Sequence, residues 1–410
     1  MRVLYLNPCG HLGGAERALL DVLTSVRQAE PEWQLRLLAG EDGPLLAEAL
    51  AIGVESSVLP FPESVAVLGQ FSGSGLPLVR RCVAAAPSLM AYRKQLQQAI
   101  REFGPDLVHT NGFKMHLLGA WSAEVPTVWH LHDFLSARPW MKRLLRPFSR
   151  NCRTIVAISN AVASDARLAM PRNTVRTLLN AVNLDRFTPR GNRLDLDALS
   201  DLAAPPPETI RVGLVGAFAQ WKGHHVFLKA VAQLRKENWP LRAYIIGGPL
   251  YQTAGSQFTF DELRSAAKKL GISDAVGFTG FQPDAPAAFR ALDVVVHAST
   301  SPEPFGLVIA EAMACGRAVI ASRAGGACEI FRQGCDALGT YPGDPRALAV
   351  AIRRLVQDPV LRARLGRAAR ETAESRFDRN RLAHSLISIY RSALIACDYS
   401  TSTAAISTAA

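Results

Sequence analysis

The sequence predicts an α/β protein of two domains, each a Rossmann-like, doubly wound parallel sheet, and three observations carry that expectation. The chain has 410 residues, more than one ordinary core accommodates. Short β-branched and aliphatic runs alternate with segments of helical spacing, in two successive series. Between the series lies a polar, proline-bearing stretch of the kind that joins domains.

The first series starts with an aliphatic run at 3–7 and a glycine-rich turn at 8–14, PCGHLGG. A helix follows from 15 to 26, with Leu19, Leu20, Val22, Leu23 and Val26 at helical spacing. Further strands are predicted at 35–39, 57–59, 107–109, 127–131 and 154–158, with helices such as 88–103 and 161–169 between them. Strands separated by helices pair in parallel, and the helices cover both faces of the sheet. This series makes a first domain at 1–187. Residues 188–208 read as a linker, marked by Pro189, Gly191 and the three prolines 205–207. Asp195 and Asp197 within it follow no buried strand, so their D-x-D spacing is assigned no metal. The second domain, 209–377, has expected strands at 211–216, 243–247, 275–278, 294–297, 318–321 and 337–339. Its expected helices are 226–235, 260–270, 306–314, 345–355 and 361–375. The tail from Ser400 is rich in Ser, Thr and Ala and lacks anything to bury, so 398–410 is expected to be disordered.

A hydrophobic share of 49% with 20% charged residues describes a globular chain. The net charge of +11 implies an acidic partner: nucleic acid, an anionic membrane face or a phosphorylated substrate. Nucleic acid is set aside, because the aromatic residues do not interleave with the cations and no zinc-finger spacing occurs. Seven scattered cysteines without a C-x-x-C pair fit a reduced, cytoplasmic protein. The strand at the very start leaves no room for a signal peptide, and no apolar stretch approaches the ~20 residues of a spanning helix.

The residues that carry chemistry centre on 299–316, STSPEPFGLVIAEAMACG. It follows the apolar run ending at His297 and opens a helix near Phe305 or Gly306. First-turn amides lack intrahelical partners and sit at the positive end of the helix dipole, so they suit an anion such as phosphate. Gly306 lets backbone approach a ligand, while Glu303 and Glu311 offer carboxylates suited to sugar hydroxyls. The whole string resembles the E-x7-E signature of the retaining glycosyltransferases of the GT-B fold, family 4. That resemblance implies two domains facing across a cleft, with the last helix, about 378–397, crossing back to the first. It also implies that Glu303 contacts the transferred sugar, that the backbone of Phe305, Gly306 and Leu307 binds a diphosphate, and that Glu311 holds a ribose.

Other motifs fit the same resemblance. Lys222-Gly223 matches a K-G motif whose lysine neutralises the departing diphosphate. Many members carry Arg where this chain has Ala217, a gap for which Arg17 or Arg323 could substitute. Gly13-Gly14 resembles the loop that approaches the donor diphosphate, and His132-Asp133 the turn whose histidine lies near the transferred sugar. Gly248 and Phe281 end two strands and read equally as turns or as the border of a nucleobase pocket. His130 and His132 invite a metal reading, but no third ligand lies near in sequence, so metal is assigned none.

The segment 138–150 interleaves five cations with Trp140, Leu144, Leu145 and Phe148. It reads either as an ordinary surface helix or as a segment lying on an anionic membrane at its inner face, with Arg80 and Arg81 beside it. The expected function is transfer of a sugar from a nucleotide-diphosphate sugar to a hydroxyl acceptor, lipid-linked saccharide, glycan or natural product. No cofactor is expected. Residues 61–87, rich in Ser, Gly and Pro, are expected to form the loop that selects the acceptor. The rivals are another GT-B nucleotide-sugar enzyme such as an epimerase, a dinucleotide-dependent dehydrogenase, and a nucleic-acid-binding scaffold. The dehydrogenase lacks its G-x-G-x-x-G after the first strand.

Overall fold

The computed structural model describes residues 1–62, 76–249 and 255–407. They divide into two compact units, 1–180 with 379–410 and 181–378. Among the described residues of the first unit, seven strands form one sheet: β1 (Arg2–Asn7), β2 (Gln34–Ala39), β3 (Glu55–Val58), β4 (Leu107–Asn111), β5 (Thr127–Leu131), β6 (Cys152–Ala157) and β7 (Thr174–Thr177). Their order is β3-β2-β1-β4-β5-β6-β7, and every pairing is parallel. In the second unit β8 (Ile210–Val215), β9 (Leu241–Ile246), β10 (Val276–Gly280), β11 (Val294–His297), β12 (Ala318–Ser322) and β13 (Leu338–Thr340) follow the order β10-β9-β8-β11-β12-β13, again parallel. Both sheets reverse their winding once, between β1 and β4 and between β8 and β11. Loops leaving the carboxyl ends of strands diverge there, which is where open α/β sheets receive ligands.

The strand runs are apolar because helices cover the sheets. Val212, Leu214, Ala243, Ile245, Val294, Val296 and Ile320 form one core with Phe227, Val231 and Ile352 from the helices His224–Lys236 and Pro345–Gln357. Sequence patterning missed β7, a short Thr-Val-Arg-Thr edge strand with little apolar content. The helix expected at 88–103 instead runs Leu76–Phe103 with Pro87 inside it. Ala84–Ala86 are strong helix formers, which favours helix up to the proline despite the hydrogen bond it removes and the clash of its ring with the preceding turn. Of the loop expected at 61–87, residues 63–75 lie outside the described residues and the rest from Leu76 is helical. The side chains of Arg80 and Arg81 also lie outside them.

The stretch read as a linker packs onto the second unit. Asp197 is buried, with Arg211 at 2.9 Å, Arg242 at 2.7 Å and the Tyr244 hydroxyl at 2.6 Å. Arg290 reaches the Asn192 and Thr188 carbonyls. Asp197 is thus a structural anchor of the second unit.

The last helix, Asn380–Ser407, packs on the first unit and stays helical through 407, beyond the point where sequence composition ends it. Its start is held by Ser25, whose hydroxyl donates to the Arg379 carbonyl at 2.7 Å and accepts from the Ala383 amide. Farther along, the fully buried Tyr390 hydroxyl bonds His109 Nδ1 at 2.8 Å and lies 3.3 Å from the Tyr5 hydroxyl. Replacing Tyr390 by Phe leaves His109 buried without that partner, and costs about 1–3 kcal/mol. The expected outcome is a lowered midpoint in urea unfolding; an unchanged midpoint contradicts the anchoring role.

Candidate functional site

In the second unit the site forms around Glu303. β11 is buried end to end and delivers His297 and Ser299 to the sheet's carboxyl edge. Glu303 Oε2 accepts from the Ser299 hydroxyl at 2.7 Å and lies 3.2 Å from His297 Nε2. Its Oε1 accepts from Lys222 Nζ at 2.7 Å. Burial pushes the Glu303 carboxyl up, but the Lys222 charge and then the His297 contact outweigh it and hold the group well below the ordinary carboxylate range. It is ionised at neutral pH.

Two glycines make this pairing possible. Lys222 leaves β8 in a short turn that ends at Gly223, at φ +78°. A Cβ there would stand 1.9 Å from the Ala298 carbonyl oxygen, so only glycine lets the lysine turn press on the end of β11. Thr300 N–H bonding to the Trp221 carbonyl at 2.7 Å ties the same two segments. Gly325, at φ +65°, lies against the Glu303 backbone, and Gly326 N–H donates to the Glu303 carbonyl at 2.7 Å. Lys222 follows β8 and Glu303 follows β11, the two strands that flank the reversal of winding.

Gly306, at φ +105°, caps the helix Leu307–Ala314. The helix therefore begins one or two residues later than the sequence predicts. Phe305 is buried edge-on against Phe377, so only its backbone is offered to the site. Glu311 lies half-buried in the second turn of the same helix. Gly248 and the exposed Phe281 border the neighbouring strand ends of β9 and β10. Gly247 N–H bonds the Gly280 carbonyl and Phe218 N–H the Gly248 carbonyl, so these turns are knit edge to edge. Ala217 lies half-buried there; Arg323 is exposed just past β12, beside Gly339, while Arg17 belongs to the first unit. His224, which the sequence reads as a polar helix start, is buried against Phe218 and Phe258.

In the first unit, Gly13 precedes the helix Gly14–Ala29, and its N–H donates to Glu16 Oε2 at 3.1 Å. Glu16 Oε1 accepts from the Cys9 thiol at 3.1 Å, and Cys9 Sγ lies 3.7 Å from His11 Nε2. Among the described residues, Cys9, His11 and Glu16 are the group whose ligand atoms lie close enough to hold a metal ion. The His130/His132 pair does not belong to it.

His132 emerges from β5, with Nε2 3.1 Å from Asn111 Oδ1 at the end of β4. With Nε2–H donated to that oxygen, Nδ1 keeps its lone pair. Burial lowers His132 to about 4, so it is neutral at pH 7. Asp133 turns away from it: its Oδ1 accepts from the Phe134 amide at 2.8 Å and Arg138 lies 3.9 Å off.

His109, His116 and His130 form a buried group around His132; the His130 and His132 rings are 4.4 Å apart and His109 and His130 5.2 Å. His109 is lowered to about 3, by burial first and by His132 second, and His116 and His130 lie well below 6.5 for the same reasons. The unfolded chain therefore takes up protons first as pH falls below about 6.5, and the folded form loses stability down to about 4. Each histidine contributes a slope of up to about 1.4 kcal/mol per pH unit in that window. The expected result is a melting temperature level above pH 7 and falling between pH 6.5 and 5. A level curve across that range contradicts the buried neutral cluster.

Of the residues singled out in the sequence, the structure brings Glu303 and Lys222 together; the partners not singled out there are His297, Ser299, Asn111, which pairs with His132, and Gly325. The first three are polar residues at or just past the carboxyl ends of apolar strands, and that position was the available signal. Gly325 is separated from Glu303 in sequence and only the folded loops bring them together.

A family model described as "Glycosyl transferases group 1" matches residues 202–372, and one described as "Glycosyltransferase Family 4" matches residues 12–186. A D-inositol 3-phosphate glycosyltransferase of Corynebacterium urealyticum is 31% identical over 248 residues, 59% of this chain and 57% of that protein. The chain thus spans little more than half the length of that relative. The lipopolysaccharide core biosynthesis glycosyltransferase LpsD of Rhizobium meliloti is 28% identical over 76% of this chain and 82% of its own. Anabaena Alr3699/HepE, solved in complex with UDP-glucose, superposes with a TM-score of 0.78 at 26% identity, over 96% of this chain and 100% of its own.

Proposed function

Because this chain belongs to the family 4, group 1 glycosyltransferases and has the GT-B fold, we propose that it transfers a sugar from a nucleotide-diphosphate sugar to a hydroxyl acceptor. The observation that carries the proposal is the Lys222–Glu303 contact, a partly buried cation and carboxylate held by two glycine turns where the second sheet reverses its winding. UDP is the proposed nucleotide, since the Anabaena structure similar to this chain carries UDP-glucose.

In the proposed reaction Lys222 exchanges its bond to Glu303 for one to the departing diphosphate. The Phe305–Leu307 backbone amides receive the same phosphates at the helix N-terminus. Glu303, kept ionised and oriented by His297 and Ser299, stabilises the oxocarbenium-like sugar, and Glu311 holds the ribose. Gly248 and Phe281 border the base. In the first unit, neutral His132 and the Gly13-Gly14 loop are assigned a part in sugar transfer, for which Gly13 N–H leaves Glu16. The proposed outcome is retention of anomeric configuration, with the leaving phosphate taking the acceptor proton and no metal or cofactor in the step. Each donor aimed at developing charge is worth roughly 3 kcal/mol.

Glu303→Gln removes the charge with little change in shape. The expected result is a loss of transfer of about a hundredfold or more with a panel of UDP- and GDP-sugars, with nucleotide binding retained. Transfer at the wild-type rate contradicts the assignment of roles.

We also propose a phosphorylated or lipid-linked acceptor met at an anionic surface. The relatives named for inositol phosphate and lipopolysaccharide core point that way, as does the net charge of +11. The helix Pro139–Phe148 exposes Trp140 and Leu144 beside Lys142, Arg143 and Arg146, the pattern of a segment lying on an anionic interface. No described helix is long and apolar enough to cross a membrane. Co-sedimentation with vesicles containing anionic lipid is expected to fall severalfold in Trp140→Ala/Arg143→Ala and in high salt. Equal sedimentation of the variant contradicts the membrane reading.

A further inference from the structure

The glycine-rich turn after β1 and the first turn of the helix it opens contain three ligand-type side chains that the proposed transfer does not use as ligands. Cys9 Sγ lies 3.1 Å from Glu16 Oε1 and 3.7 Å from His11 Nε2, and all three ligand atoms fall within 4.8 Å of one another. Tetrahedral ligation by sulfur, nitrogen and oxygen puts ligand atoms about 3.5 Å apart. The two sulfur distances straddle that value, so small rotations close the three atoms into one face of a tetrahedron. A second observation concerns Asn7, at the end of β1 and fully buried. Its amide donates to the Cys9 carbonyl at 2.7 Å and approaches Glu16 Oε1 at 3.5 Å, the orienting contacts that hold metal ligands. The same Nδ2 lies 3.8 Å from Cys9 Sγ, so one buried amide faces both the sulfur and the carboxylate.

We propose that Cys9, His11 and Glu16 bind one thiophilic divalent cation of the Zn2+ class. Binding forms a metal–sulfur bond while the Cys9 thiol proton, now donated to Glu16, leaves to solvent. The thiolate and carboxylate then neutralise the cation, and neutral His11 supplies nitrogen. Three protein ligands leave the fourth position open on the side of exposed His11. The site shares the Gly13-Gly14 turn with the proposed sugar transfer, because Glu16 also accepts from Gly13 N–H, but cobalt absorption and alkylation of Cys9 read metal binding whether or not sugar is transferred.

The test titrates the full chain, free of any polyhistidine tag, with Co2+ as a spectroscopic probe and then with Zn2+. The expected result is one Co2+ per chain with thiolate-to-cobalt charge-transfer absorption, displaced by Zn2+. Cys9→Ser is expected to abolish the absorption, and His11→Ala to weaken Co2+ binding by about tenfold or more. In the unmodified protein Zn2+ is expected to slow alkylation of Cys9, followed by peptide mass, which needs no variant to fold. Absent charge-transfer absorption, absorption unchanged in Cys9→Ser, or alkylation of Cys9 unaffected by Zn2+ overturns the site.

Discussion

The second unit is arranged around an unfavourable act, the burial of the Glu303 carboxylate. Desolvation alone would neutralise it, and the Lys222 charge, the Ser299 hydroxyl and the His297 ring reverse that outcome. None of the four is local to all the others. β8 delivers the lysine, β11 delivers the histidine and serine, and the loop after β12 buttresses the glutamate's backbone through Gly325. Gly223 and Gly325 adopt φ values that L side chains rarely take, and at each a side chain would strike backbone. The ionised carboxylate is therefore a product of the sheet's topology as much as of its neighbours.

The first unit manages its polar interior in the opposite way, by excluding charge. Four histidines collect where β4 and β5 end, and burial keeps them neutral. Tyr390 reaches into the group from the far end of the chain, so the last helix completes a core begun by β1 and β4. One consequence is a neutral His132 held by Asn111 at the sheet's carboxyl edge. The other is a fold whose stability falls with pH below about 6.5.

Much of this was legible in the sequence because strand and helix periods differ and the buried strands of parallel sheets are continuously apolar. β5 and β11 fall at the residues that the apolar runs mark. The string around Glu303 carried family, fold and charge positions together. What was not legible had physical reasons. β7 has too little apolar surface to signal a strand, and Pro87 suggested a break that the surrounding alanines override. Asp197 looked like part of a loose connector because its partners Arg211, Arg242 and Tyr244 lie on strands downstream. The Cys9, His11 and Glu16 grouping needed the curl of the glycine turn, which residue spacing alone does not give.

The central claim is that Lys222, delivered beside Glu303, receives the diphosphate of a nucleotide sugar. Calorimetric titration of UDP into the wild-type chain and Lys222→Met tests it most directly, with the thermal transition of each confirming a folded protein. The account predicts UDP affinity reduced by roughly ten- to a hundredfold in the variant, as expected when a charged hydrogen bond worth about 1.5–3 kcal/mol is lost. Equal UDP affinity in the two proteins would contradict it.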